Sequence, residues 1–467
     1  MIDLKVTHIL NMVIGLLLLS ACSDDNNQVE CIAPNFDADG TLYQPAPLSC
    51  YTPLQIQQAY GLNTLYDMGL TGTDQHIVIM DNYASGDHAA YFEVFHKQFF
   101  PNRKMPELQI DEFDTSYDDG GNLEIAIDIQ LAHAIAPDAT IHLVLGNISD
   151  GDSWLALLKH VVKTYSSPGT LVSMSFGANE RDFTDEDIEN VLDPMEELFE
   201  EGVSNGMTFF ASSGDYGSKG GWNDPDANEQ NVQYPATSPN VTAVGGTFLQ
   251  YGFEWYPTSN QAYLNSGDKN PDYFNIKDNI LFRLETVWNE AYHGKASTGG
   301  SSIFFDIPDW QASVADHIYA QSGSGRGVPD IAWQGSINGG VWIYVNDYWD
   351  VVGGTSASSP QVAGFFALVN QYLQQQGIDA LGNINPYLYQ MTDNNAFNDI
   401  LPLSQGTVLA GEQVSNQLFE YNDDGSLTYN DIPGYPVTEG WDMTTGFGSP
   451  RAQYFLKALV DVITEND

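Results

Sequence analysis

The chain has 467 residues, enough for one large domain or two ordinary ones, and 42% of them are hydrophobic, as a packed core requires. Its 15 Lys and Arg stand against 62 Asp and Glu, a formal net charge of −47. So acidic a chain argues against nucleic acid and anionic membrane surfaces as partners and suits salty or acidic surroundings.

The first segment, "MIDLKVTHILNMVIGLLLLSAC", carries a lysine near its start and then an apolar run too short for a secure membrane span. Its end, Leu19-Ser20-Ala21-Cys22, resembles the bacterial lipoprotein processing box. That resemblance implies a signal peptide over residues 1–21 and a lipid on Cys22. The mature protein would then be tethered to a membrane in the cell envelope; an ordinary secretory signal is the alternative. Residues 22–50 read as a tether and N-terminal extension. Cys31 and Cys50 are the two remaining cysteines, and in an exported chain they read as one disulfide.

From about residue 51 the pattern alternates strand and helix. "HIVIMD" (76–81), "TIHLVLG" (140–146), "TLVSMSFG" (170–177), "MTFFASSGD" (207–215) and "VTAVGGT" (241–247) read as short strands. Helical patterns separate them, including "DSWLALLKHVVKTY" and an acidic stretch that Pro194 interrupts. The expectation is one α/β domain over residues 51–467, with a largely parallel sheet covered by helices on both faces. Residues 252–300 and 402–436 read as long loops.

Three places carry chemistry. "GGTSASSP" (353–360) opens into an apolar helix, which puts Ser356 where helix N–H groups favour developing negative charge. A serine nucleophile needs a base, yet none of the nine histidines lies in a small-residue turn of the kind subtilisins use. "GGNLEIAIDIQLAHAIAPDA" (120–139) places Glu124 and Asp128 four apart on one face of a helix. Taken alone, that pair is equally a solvated stripe or a covered acidic pair kept for use. "FFASSGDYG" (209–217) brings Asp215 to the C-terminal end of a strand, where it serves either turn formation or function.

Together these motifs resemble the sedolisins, the serine-carboxyl peptidases, which have a subtilisin-like fold. "VSMSFGANE", "YPATSPNVTAVGGT", "GGSSIFFDIPDWQ", "RGVPDIA" and "GWDMTTGFGSP" also correspond, in the family's order, from about Tyr51 to the C-terminus. The resemblance implies Ser356 as nucleophile, Glu124 as general base, Asp128 as its support and Asp215 in the oxyanion hole. Ser173, Ser175 and Gly177 would supply a backbone edge for a peptide substrate. One structural calcium ion would be held by Asp399 and Asp442 with the carbonyls of Ile400, Thr438 and Gly440; the family usually has Gly where this chain has Thr438. The function implied is an acid-acting, monomeric serine-type endopeptidase on peptide or protein substrates. A catalytically idle, calcium-stabilised surface lipoprotein on the same fold is the alternative. Family members usually carry a long pro-segment, and the stretch from Cys22 to Tyr51 is too short for an independently stable one.

Overall fold

The computed structural model describes residues 50–466 except 119, 222–228, 254–271, 277–278, 291–293, 322, 392–394, 408–410 and 422–426. The signal segment, Cys22 and Cys31 therefore lie outside the described residues, whereas Cys50 is buried.

A nine-stranded sheet organises the molecule. Its strands in chain order are β1 (His76–Asn82), β2 (Leu108–Glu112), β3 (Thr140–Gly146), β4 (Leu171–Met174), β5 (Thr208–Ser212), β6 (Val241–Phe253), β7 (Asp272–Ile276), β8 (Asn279–Val287) and β11 (Ile331–Gln334). Two short strands off the sheet, β9 (Asn289–Glu290) and β10 (Lys295–Ala296), form a hairpin between β8 and β11. The sheet order is β7-β8-β6-β5-β4-β1-β3-β2, with β11 also paired to β6. Every pairing from β2 to β6 is parallel, as is β6–β11; only β7–β8 and β8–β6 are antiparallel.

Alternation along β1 explains why both faces are covered. Ile77 and Ile79 point into one apolar layer and Val78 and Met80 into the other. The first layer lies under α1 (His88–Phe99), α2 (Asn122–Ile135) and α5 (Thr355–Gln375); the second lies under α3 (Gly151–Thr164) and α4 (Asp193–Ser204). Helix α5 approaches α2 closely at Gly364, where a Cβ would stand 2.8 Å from the carbonyl oxygen of Ala132. The acidic stretch stays helical from residue 185 through α4, and the interruption expected at Pro194 is a π-helical turn over Ile188–Leu192 inside the continuous helix.

Two sequence expectations need correction. Within 252–300, residues 272–276 and 279–287 are strands that extend the sheet by antiparallel pairing. Within 402–436, Leu403–Thr407, Gly411–Gln413, Phe419–Tyr421 and Leu427–Tyr429 form two small hairpins. These segments are polar and aromatic and hold no long apolar run, so composition alone does not mark them as strands.

Candidate active site

Helix α2 is buried from Glu124 to Ile135, so every polar side chain on it needs a partner. Gln130 exchanges hydrogen bonds with the backbone of Tyr344, its Nε2 donating at 2.7 Å and its Oε1 accepting at 2.8 Å. His133 Nε2 lies 3.0 Å from His96 Nδ1, and His96 Nε2 lies 3.1 Å from the carbonyl of Arg103. The carbonyl can only accept, so His96 carries its proton on Nε2 and His133 donates to its Nδ1.

The acidic pair is covered, not solvated. Glu124 is 6% exposed and Asp128 is 0% exposed. Glu124 is in the first turn of α2, where the N-terminal end of the helix favours its charge. Burial, and then the charge of Glu124, push the Asp128 carboxyl well above the ordinary range, with Asp81 adding a third contribution. Asp81, next to last in β1, shares the parity of Ile77 and Ile79, so it belongs to the face covered by α2 and α5. The pair therefore favours holding one proton between two carboxyls.

Ser356 is the second residue of α5. Pro360, inside that helix, has no N–H to give to the Ser356 carbonyl four residues back. Ser175 Oγ approaches that carbonyl instead, at 3.3 Å, and lies 2.7 Å from Asp128 Oδ1. Ser356 Oγ in turn donates to the carbonyl of Ser175 at 3.4 Å. Ser356 and the buried acid pair are thus joined through one residue just past the end of β4. A hydroxyl has one proton, so Ser175 gives it to Asp128 when that carboxyl is ionised. When Asp128 is protonated, Ser175 is released to the Ser356 carbonyl.

Asp215 follows β5 and docks on the first turn of α5. Its Oδ1 accepts from Thr355 N at 2.8 Å and from Thr355 Oγ1 at 2.9 Å, while Thr355 Oγ1 accepts from Gly214 N at 3.0 Å. With Oδ1 committed as an acceptor, a proton on this carboxyl belongs on Oδ2. Gly354 has φ +102°, and a Cβ there would stand 3.2 Å from Asp215 Oδ2. Glycine keeps that oxygen clear at the turn before Ser356.

Six of the seven described histidine rings are engaged elsewhere. Among the described residues His96 pairs with His133, His76 with His142, His160 with Asp111, and His88 with the Ala84 carbonyl. Burial pushes His133 well below its ordinary range.

The substrate-edge assignment is corrected in part. Ser173 is fully buried inside β4, paired in register with Ile79 and Phe210, and its Oγ lies 3.0 Å from Ser359 Oγ. No backbone edge remains there. Ser175 and Gly177 lie beyond the end of the strand, Ser175 turned inward to Asp128.

In the C-terminal region Asp399 Oδ2 accepts from Gly440 N at 2.9 Å, and Asp442 Oδ2 accepts from Thr438 N at 2.9 Å. The proposed calcium ligands are therefore drawn together from segments 41 residues apart. Burial above all pushes Asp399 up to about 7 and Asp442 up to about 6; the charge of Asp442 adds to the rise on Asp399. A half-buried and a buried carboxyl, both raised and the second adding to the rise on the first, are what a hard dication relieves. Among the described residues no group of three or more His, Cys, Asp or Glu is placed to hold a metal. A site here would therefore depend on carbonyls, in keeping with calcium.

The buried acid pair carries a stability consequence. Because the folded-state value of Asp128 is raised, the native chain holds a proton that the unfolded chain has lost, and stability falls as pH rises from about 4 upward. Asp128→Asn removes that penalty. We expect the variant to melt a few degrees above wild type near neutral pH and to match it in strong acid. Melting curves across pH check this, and a neutral-pH Tm at or below wild type would contradict it.

Comparison with known proteins places this geometry. The subtilase family (Peptidase_S8) matches residues 119–401. Kumamolisin of Bacillus sp. (strain MN-32) is 29% identical over 422 residues, covering 89% of this chain and 65% of its own length. Sedolisin of Pseudomonas sp. (strain 101) is 30% identical over 273 residues, covering 57% of this chain and 37% of its own length. The chain thus spans less than two thirds of the curated relatives it matches. In fold it resembles Pseudomonas sedolisin (serine-carboxyl proteinase), solved with two molecules of pseudo-iodotyrostatin, at a TM-score of 0.66 and 22% identity, covering 89% of this chain and 99% of that one. The chain belongs to the subtilase family and has its fold, a mostly parallel sheet between two layers of helices.

Proposed function

We propose that the protein is a serine-carboxyl peptidase that hydrolyses peptide bonds in acid. The observation that carries this reading is the link from Ser356 through Ser175 to the buried Asp128–Glu124 pair, with Asp215 docked on the same helix turn. Ser356 Oγ attacks the scissile carbonyl and Glu124 takes its proton. Asp128 shares a proton and a charge with Glu124, which keeps one carboxylate of the pair available as a base. The oxyanion that forms receives a hydrogen bond from Asp215 Oδ2–H and one from the backbone N–H of Ser356. Glu124 then returns its proton to the leaving amine, and water repeats the cycle on the acyl-enzyme. A carboxylate remains a base in acid, where a histidine would already be protonated. Steady-state cleavage of an unfolded protein between about pH 3 and 7 tests the reading. Maximal turnover in acid supports it, and turnover only above neutrality would refute it.

Asp399 and Asp442, with the carbonyls of Ile400, Thr438 and Gly440, would hold one structural Ca2+. The ion supplies positive charge that ties residues 399–400 to the 438–442 turn. A cation bound only by the native state stabilises it by mass action, about 2.7 kcal/mol at a hundredfold excess over Kd. We expect a strong chelator to lower the Tm by several degrees and calcium alone to restore it. An unchanged melting curve would remove the ion from the account. The resemblance at Cys22 further suggests that a lipid anchors the protein outside the cytoplasm.

A further inference from the structure

The turn that carries Asp215 leads into a cation the reaction above does not use. Tyr216 follows Asp215 directly, and β10 lies alongside: Ala296 N donates to the Asp215 carbonyl at 3.0 Å. Lys295, one residue earlier on β10, donates from Nζ to the Tyr216 hydroxyl, and its Nζ lies 3.8 Å from the Tyr216 ring centroid. Both side chains are half-buried. In a chain with 62 acidic residues, this ammonium makes no ion pair among the described residues. Glu290, its register partner across the β9–β10 hairpin, is engaged by Trp288 Nε1, Ser336 Oγ, Ile337 N and Asn338 N at 2.6–3.0 Å.

Burial pushes the Lys295 ammonium down, and the charge of Asp215 pushes it back up, so the cation lies within electrostatic reach of the oxyanion residue. An ammonium has three donors, and the Tyr216 hydroxyl occupies one of them. That hydroxyl accepts from Lys295 and keeps its own proton to give. The pair thus offers adjacent N–H and O–H donors one residue beyond Asp215, a pattern matched to the two oxygens of a carboxylate.

We propose that Lys295 and Tyr216 form a carboxylate-binding subsite that gives the peptidase a preference for a negatively charged group next to the scissile bond. The group is either an acidic side chain or the terminal carboxylate of the peptide; the chemistry is shared. The net charge of −47 does not oppose this at close range, because charges beyond about 10 Å are screened at 0.1 M salt. The subsite acts by contact and not by long-range steering. This inference rests on the peptidase reading for its biological meaning, but its test does not depend on turnover.

The test compares peptides with Glu or Gln on either side of the scissile bond, and peptides with a free or amidated C-terminus, at about pH 5.5, where a peptide glutamate is ionised. Binding is measured by fluorescence anisotropy on Ser356→Ala protein, and kcat/KM on protein with Ser356 intact. We expect one carboxylate-bearing series to bind about tenfold tighter than its neutral match, as a partly desolvated charge pair gives. Adding Lys295→Met should bring that ratio to about one, Tyr216→Phe should reduce it, and Lys295→Arg should retain it. The ratio is internal to each variant, so a general loss of affinity does not imitate the effect. Preference in the Glu series identifies a side-chain subsite; preference in the free-terminus series identifies a terminal one. Equal binding of charged and neutral peptides, or a preference untouched by Lys295→Met, overturns the proposal. Absence of turnover with the binding preference intact would leave the subsite standing and remove the peptidase reading.

Discussion

Ser356→Ala and Glu124→Ala should each abolish peptide hydrolysis while leaving the fold in place. Ser356 is at the start of α5, and its Oγ makes a single weak contact, to the Ser175 carbonyl at 3.4 Å. Losing that contact should move stability by well under 1 kcal/mol. Losing the nucleophile of a catalytic triad costs on the order of 10⁶ in kcat. Glu124 differs, because its charge is one cause of the raised Asp128 value. Removing it should let Asp128 ionise more readily and stabilise the protein at neutral pH even as activity disappears. Loss of activity with a held or raised Tm is the signature of a base kept at the expense of stability. A Glu124→Ala protein with near-normal kcat/KM would take Glu124 out of the base role.

Asp215→Ala should reduce kcat by about 10²–10³, corresponding to roughly 2.7–4 kcal/mol for one oxyanion donor. The substitution also removes the acceptor for Thr355 N and Oγ1, so some loosening of the α5 N-terminus accompanies it. Asp215→Asn separates the two effects. Its amide oxygen can still accept from Thr355, and its NH2 occupies the Oδ2 position as a donor that does not titrate. We expect Asn to retain more activity than Ala, because it keeps both the acceptor for Thr355 and a donor at the Oδ2 position. The low-pH limb should follow the Glu124–Asp128 assembly and stay put. Equal activities for Asp215→Ala and Asp215→Asn would mean that Asp215 supplies no donor to the oxyanion.

Much of this was legible before the structure. The strand at 140–146 was bounded to the residue by its β-branched run, and Glu124 and Asp128 fell on one helix because their spacing matches its period. What the sequence hid was depth. Whether the Glu124–Asp128 pair faced water or core depended on α5 packing over α2, a contact between segments over 200 residues apart in the chain. Asp81 carries no signal of its own in the sequence, a lone acid near the end of an apolar strand; only its parity with Ile77 and Ile79 turns it toward Asp128. Ser173 and Ser175 share a parity too, which is why one meets Ser359 and the other Asp128, and why neither side chain is free to face a substrate. Lys295 was lost in a stretch read as loop, and the hairpin that aims it is only two residues long on each strand.

The central claim is that Ser356 is activated by a carboxylate. Intact-protein mass spectrometry after treatment with a fluorophosphonate, which labels activated serines, tests it most directly. A single adduct on Ser356 should form at about pH 5, where a histidine base would be protonated, and should fail to form in Glu124→Ala. Labelling of Glu124→Ala at the wild-type rate, or labelling that appears only as a histidine would deprotonate, would contradict it.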